Sequence, residues 1–511
     1  MNLFEPLVQA IVKRFPELKA DDLQFAPPPN LDAGDVALRT FVAAKKTGST
    51  PPALAKRIAD EVPFGPEVSA VEIAGPYVNF RLDRGRFARI VVSSVLAQRE
   101  LYGSAGFGTG QKLLIEHTSI NPNASPHVGR ARNAIYGDTL ARLFRFEGYD
   151  VDVHYYVNDI GRQIGLLVLH CGDLAGMTFD DVLDAYVAAN EKAEADEEFA
   201  AAGYELLAKM EEGDADTARK FREVVDLCLN GQVDVLGRLG IKYNSFDYES
   251  GFLKCDTLDR VIEALEQRGA VFTDEDLRLV VDLQKLGHDR EEGRYFVLRR
   301  ANGSSMYGFR DLAYNAFKAD AGANVNIQVF GEDHKLYAEQ LAMILSAAGV
   351  AVPETVYYSY VLLKDAKMST RKGTVVLLSD FLDEATRRAR EIVDEQCHDL
   401  SETERADVAN DVAIAAVRFS MLKINPNKNV TFEWEANLSF TGATGPYLQY
   451  TSARAHSVLR KLAEDFGALA DVPAEDFPTD SAAEWDLVSK LAAFDEIVAA
   501  ALKERNPAPI A

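Results

Sequence analysis

From Met1 to Lys19 charged and apolar residues alternate at helical spacing, which predicts an amphipathic helix and lacks the continuous apolar block of a signal peptide. The loop Ala26-Pro27-Pro28-Pro29-Asn30, a helical stretch around Pro52 to Val62 and a last strand over Val71 to Leu82 make up a compact α/β module, expected over residues 1–105. A connector studded with glycine, Gly103-Ser104-Ala105-Gly106-Phe107-Gly108-Thr109-Gly110, marks a domain boundary.

Beyond it, Lys112 to Thr118 reads as a buried strand, Val128 to Phe146 as an amphipathic helix with Ile135, Leu140, Leu143 and Phe144 inward, and Val151 to Val157 as a second strand. This βαβ order predicts a parallel sheet whose ligands bind beyond the carboxyl ends of the strands, where the loop Asn121 to Arg130 falls. From about Thr178 to Gly240 the chain turns acidic, alanine-rich and helical, which predicts an insertion at about 171–250 between the halves of that sheet. Sheet-like segments resume near Leu277 to Leu298, Asn326 to Phe330 and Thr355 to Leu363, closing an α/β domain expected over 106–435. After Phe381 the pattern is helical except from Ile424 to Gly445, and a helical domain is expected over 436–511.

Composition narrows the class. At 511 residues the chain needs several cores, and 47% hydrophobic with 26% charged residues excludes a largely disordered protein. The net charge of -24 argues against indiscriminate binding to nucleic acid, so no DNA partner is expected and any RNA must meet local basic patches. No apolar run is long enough to cross a bilayer, from which a cytoplasmic location and no membrane partner are expected. Cys171, Cys228, Cys255 and Cys397 are scattered, without paired spacing or a nearby histidine cluster, and read as reduced, mostly buried thiols with no structural zinc.

Two loops carry the candidate chemistry. Asn121-Pro122-Asn123-Ala124-Ser125-Pro126-His127-Val128-Gly129-Arg130 lies between a strand and a helix, so the helix N-terminus favours a phosphate there. Gly129 has no Cβ and admits a flat base, while His127 and Arg130 can donate to phosphate oxygens. When the pattern stands alone, a helix-capping loop with a chance histidine is the better explanation of it. Lys367-Met368-Ser369-Thr370-Arg371-Lys372-Gly373 is a basic, glycine-ended loop after a strand, which alone could be a solvated turn. Together, in this order and about 240 residues apart, the two favour nucleotide binding.

At these two loops the chain resembles the class I aminoacyl-tRNA synthetases, whose signatures are His-x-Gly-His and Lys-Met-Ser-Lys-Ser on the halves of a Rossmann-type fold. The arginyl-tRNA synthetase family matches best. Its wording is met by Glu116-His117-Thr118-Ser119, Gly137-Asp138, Tyr155-Tyr156-Val157-Asn158-Asp159, Tyr307-Gly308-Phe309-Arg310-Asp311-Leu312-Ala313-Tyr314, Phe440-Thr441-Gly442 and Gly445-Pro446-Tyr447-Leu448-Gln449-Tyr450. The resemblance covers nearly the whole chain, from Gly75-Pro76 and Val78-Asn79-Phe80 in the first module to the last hundred residues.

It implies a class I catalytic domain flanked by an amino-terminal module that touches tRNA and a helical anticodon-binding domain. The reaction it implies is ATP-dependent activation of L-arginine, followed by transfer to tRNA(Arg), with magnesium on the ATP phosphates and a monomeric enzyme. His127, Arg130, Lys367 and Arg371 are the implied catalytic groups, with Gly129, Met368 and Ser369 also binding ATP. A guanidinium is planar and always charged, so its pocket needs carboxylates. The resemblance puts Asp311, Tyr307 and Glu249 on the arginine side chain, Asn121 on its backbone groups and His334 in the closing segment. Tyr447, Tyr450 and Arg454 are candidates for tRNA. The bland alternatives are that Asp311 caps a helix, Glu249 is a surface carboxylate, and Tyr447 and Tyr450 pack inside a bundle.

Two positions depart from the pattern: Arg130 replaces the usual second histidine and Thr370 the usual second lysine, leaving Arg371 and Lys372 to supply the charge. Ala124 stands where some relatives carry lysine. The chain ends at Asn506-Pro507-Ala508-Pro509-Ile510-Ala511, earlier than the family pattern, so an incomplete helical domain is expected. The alternative function is a synthetase-like protein, catalytically impaired, that binds tRNA or nucleotide.

Overall fold

The computed structural model describes residues 5–26, 28, 33–252, 256–364, 376–467 and 481–511. These divide into two compact units, Met1–Ala105 with Leu459–Ala500, and Gly106–Val458 with Ala501–Ala511.

The amino-terminal module runs α1 (Glu5–Arg14), β1 (Gln24–Ala26), β2 (Val36–Arg39), α2 (Phe41–Lys46), α3 (Pro51–Glu61), β3 (Val68–Ala74), β4 (Tyr77–Leu82) and α4 (Arg84–Gln98). Helix α3 opens with Pro51, whose missing N–H is no loss at a first helical position. The strands form an antiparallel sheet in the order β1-β2-β4-β3. The stretch Val71 to Leu82, expected as one strand, is the greater part of a hairpin: Ala74 pairs with Tyr77 across Gly75-Pro76. Gly75 takes a φ of +60°, which a residue with a Cβ adopts only under strain. The apolar alternation runs through both arms and hides the turn.

The larger unit is built on a five-stranded sheet in the order β12-β11-β5-β6-β7, all neighbours parallel. Its first half is β5 (Lys112–Glu116), α5 (Val128–Phe146) and β6 (Asp150–Val157), the expected βαβ unit. The insertion follows as α6 (Arg162–Cys171), α7 (Phe179–Ala195), α8 (Glu197–Glu212) and α9 (Ala215–Gly237). Part of the acidic charge serves these helices: Asp196 and Asp214 each cap one by accepting its free N–H, as the Thr178 hydroxyl does for α7. The insertion was expected to stay helical to about residue 250, yet β7 (Ser245–Tyr248) belongs to the main sheet, because parallel pairing with β6 satisfies its backbone.

Next come α10 (Asp256–Gln267), an antiparallel sheet of β8 (Val271–Thr273), β9 (Leu279–Asp282) and β10 (Tyr295–Arg299), and α11 (Tyr307–Asp320). The main sheet resumes with β11 (Val325–Gly331), α12 (Lys335–Ala347) and β12 (Glu354–Tyr358). The chain order of β5, β6 and β7 runs one way from β5 and β11 lies on its other side, so the strand order reverses between β5 and β11. That reversal opens a crevice at the strands' carboxyl ends.

After β13 (Val361–Leu363) come α13 (Leu378–Gln396), α14 (Glu402–Leu422), β14 (Val430–Phe432), α15 (Trp434–Asn437) and α16 (Gly445–Phe466). The stretch Ile424 to Gly445, expected to be irregular, thus contains a strand, and β14 is held by parallel pairing to β13. The last helices are α17 (Ala482–Ala492) and α18 (Phe494–Glu504). Residues 436–511, expected as one helical domain, are shared between the two units. Trp485 of α17 completes the core of the smaller unit, its ring 5.5 Å from that of Phe87. Of the described cysteines only Cys228 is buried; Cys171 and Cys397 are half-buried, a correction to the expectation of mostly buried thiols.

Candidate active site

Strand β5 is buried along Leu113 to Glu116 and delivers Glu116 and His117 to the crevice. There the chain turns sharply. Thr118 has a φ of +69°, costly for a β-branched residue, and is held in it by Asn133 of α5, whose side-chain oxygen accepts from the Thr118 N–H at 2.6 Å. The other end of the Asn133 amide donates to the Val329 carbonyl at 2.8 Å, so one side chain clamps the ends of β5 and β11. His117 packs against Gly137, where a Cβ would fall 2.3 Å from the ring. Burial holds the His117 imidazole down at about 4, and it is neutral at physiological pH.

The loop from Asn121 is set from behind by the insertion: Gln232 of α9, fully buried, donates to the carbonyls of Asn121 at 3.0 Å and Ala124 at 2.8 Å. His127 is the residue before the first turn of α5, and its imidazole lies over Gly129, with two ring atoms 3.0 Å from where a Cβ would be. Burial, then the Arg130 charge, lowers the His127 pKa. The Leu378 N–H donates to the Pro126 carbonyl at 2.8 Å and the Val128 N–H to that of Val376 at 3.1 Å. The segment leaving the second basic loop is therefore stitched to the first. Lys367, Met368, Ser369, Thr370 and Arg371 themselves lie outside the described residues.

A cavity of about 300 Å³ opens at the crevice. Six of the residues singled out from sequence line it: Asn121, Arg130, Glu249, Tyr307, Asp311 and His334. His127 and Gly129 do not line it directly, although Arg130 beside them does.

Asp311 does not cap a helix. It sits a turn inside α11, where its carboxylate accepts from the Tyr337 hydroxyl of α12. Burial pushes its carboxyl up to about 6, against the pull of the Tyr337 bond and with a further push from Glu116. Nor is Glu249 a surface carboxylate, since only 1% of it is exposed. Burial raises it to about 8, Arg310 opposing and Asp311 and Asp159 adding to the rise. Its turn is anchored by Asp159, which accepts from the Ser250 N–H at 2.8 Å and hydroxyl at 2.6 Å.

Sequence reasoning missed several of these residues. Tyr337 and Asn133 were not singled out, while Arg310 and Asp159 were quoted only as wording. Lys318, fully buried, pairs with Glu116 and ties α11 to β5. The available signal was a lysine among the apolar residues of a helix's buried face. On α16, Tyr447 and Tyr450 are 42% and 45% exposed, so they do not pack inside a bundle, and the Arg454 guanidinium lies 3.4 Å from the Tyr450 hydroxyl.

The family model for tRNA synthetases class I (R), catalytic domain, matches residues 91–434. The chain belongs to the arginyl-tRNA synthetase family. The family's N-terminal domain model matches residues 2–82, and the DALR anticodon binding domain model matches 448–511. An arginine–tRNA ligase of Methanosarcina barkeri is 36% identical over 509 residues, 98% of this chain and 87% of the relative. One of Methanothermobacter thermautotrophicus is 34% identical, with the same shares covered. The solved arginyl-tRNA synthetase of Thermus thermophilus superposes with a TM-score of 0.81 at 29% identity, covering 99% of this chain and 89% of that one. As in arginyl-tRNA synthetases generally, the chemistry is class I aminoacyl-tRNA ligation with ATP. Among the described residues no helix is long and apolar enough to cross a membrane, and no three His, Cys, Asp or Glu side chains gather to hold a metal.

Proposed function

We propose that the crevice between β5 and β11 activates L-arginine with ATP and passes the arginyl group to tRNA(Arg). The observation that carries this reading is the meeting of Asp311 and Glu249 with Arg130 around one cavity. The two carboxylates suit a guanidinium, and Tyr307 completes the wall around its flat face. Asn121 holds the backbone groups of arginine, and His334, in the closing segment, lines the same cavity. The arginine carboxylate attacks the α-phosphate of ATP, the bond to pyrophosphate breaks, and arginyl-adenylate forms.

This step requires placement and charge stabilisation rather than a protein nucleophile. His127 and Arg130 donate to the phosphate oxygens at the N-terminus of α5, and Gly129 leaves room for the nucleotide. Lys367 and Arg371, with Met368 and Ser369 beside them, bring further positive charge to the leaving pyrophosphate, and magnesium enters with ATP as part of the substrate. The terminal ribose 2′-hydroxyl of tRNA then attacks the arginyl carbonyl and releases AMP. Tyr447 and Tyr450 offer faces for bases and Arg454 a charge for phosphate. The working form is a cytoplasmic monomer.

Pyrophosphate exchange into ATP, run with each amino acid in the presence of tRNA, tests the reading. Arginine alone should support exchange. A strong response to another amino acid overturns the substrate assignment, and tRNA binding without any arginyl-adenylate makes the chain a binding protein instead.

A further inference from the structure

Arg310 stands beside Asp311 in the pocket helix, and the reaction as derived above gives it no task. It is nonetheless buried and heavily engaged. Its Nε donates to Glu249 Oε1 at 2.6 Å, its Nη1 lies 3.3 Å from the Ser305 hydroxyl and 3.9 Å from Glu211 Oε1 of α8. The second Glu249 oxygen accepts from the Asn158 amide at 2.5 Å, in the amide orientation that satisfies both of its ends. Glu249 therefore faces the cavity with each oxygen already directed by a fixed donor.

We propose that Arg310 is a positioning residue for arginine recognition: its buried ion pair orients Glu249 and eases its ionisation when the guanidinium arrives. This rests on the reading of Glu249 as an arginine-binding group. A carboxylate this deeply buried takes up a proton unless a cation accompanies it. The groups facing Glu249 otherwise favour that proton: Asp311 from α11 and Asp159 after β6 are acidic, while Tyr156 of β6 and Tyr337 of α12 are buried phenols held neutral. Arg310 is the cation acting against them, and its planar fork reaches Glu249 and Ser305 at once, which an ammonium would not do.

The test is the arginine KM and the ATP KM, measured by exchange with tRNA present between about pH 6.5 and 9.5, for Arg310→Gln, Arg310→Lys and Glu249→Gln. Arg310→Gln should raise the arginine KM about tenfold at neutral pH, the effect of about one unit in carboxyl pKa, leave the ATP KM within about twofold, and recover as pH rises. Arg310→Lys keeps the charge without the fork, so its arginine KM should rise about threefold with the wild-type pH midpoint. An Arg310→Gln deficit that is the same at every pH overturns the proposal. If Arg310→Gln does not fold, Arg310→Lys decides alone: an arginine-specific rise supports the proposal, and no rise, or equal rises for arginine and ATP, overturns it. Glu249→Gln separates the two layers. An unchanged arginine KM there removes Glu249 from the pocket, whereas a raised, pH-independent KM keeps that reading whatever Arg310 does.

Discussion

Asp311 and Glu249 reach the cavity from a long helix and a turn anchored to the sheet, whereas His127 and Arg130 reach it from a loop and the first turn of α5. The carboxylates are held by Tyr337, Arg310 and Asn158, with their pKa values pushed up by burial. The His127 side is less enclosed, and its imidazole is pushed the other way, by burial and by Arg130. A cation at a helix N-terminus meets the positive end of the helix dipole, just as a carboxylate in a closed pocket meets low dielectric. Each region carries charge that a ligand of opposite sign would relieve. Arginine and ATP are such ligands, and the two regions can be broken separately.

The largest effect is expected from Asp311→Asn, which keeps the shape but removes the charge proposed to face the guanidinium. It should cost arginine activation about 3–5 kcal/mol, the loss for breaking a buried pair, with the ATP KM nearly unchanged. Exchange kinetics with both substrates varied would show it, and equal losses for arginine and ATP would mean that the two regions are not separable. His127→Ala should reverse the pattern. Losing one donor to a developing phosphate charge costs about 10²–10³ in kcat, and the arginine KM should move little.

A smaller effect sharpens the acidic side. Because Asp311 titrates at about 6, kcat/KM for arginine should fall as pH drops through that value, since the protonated carboxyl no longer pairs with a cation. The Tyr337 hydroxyl stabilises the anion, so Tyr337→Phe should move this limb to higher pH and cost about 1.5–3 kcal/mol in arginine binding, the range for a hydrogen bond to a charged group. A pH–rate profile with the limb unmoved would place its origin elsewhere in the site.

Much of the framework was legible because it depends on local pattern. The run Lys112 to Val157 announced strand, helix and strand by its periodicity, and α5 spans the predicted Val128 to Phe146. The hairpin of β3 and β4 was not, because apolar residues alternate through both arms and the turn depends on a single glycine conformation. Strands β7 and β14 escaped for another reason: each is short and is stabilised by a partner distant in sequence or by a brief parallel contact, not by its own pattern. In the candidate site, residues within recognisable wording were found. Tyr337, Asn133 and Lys318 were not, since their roles come from partners 26, 15 and 202 positions away.

By itself, then, the sequence determined the order of the elements and the two basic loops, because these follow from periodicity and side-chain chemistry within short windows; the choice of Asp311 and Glu249 came from the resemblance. Only the tertiary structure decided that Glu249 is buried and paired with Arg310, that Asp311 bonds to Tyr337 rather than capping α11, and that the strand order reverses between β5 and β11. Those outcomes depend on burial and on charge at close range. Both are properties of the space between elements, which no single stretch of chain contains.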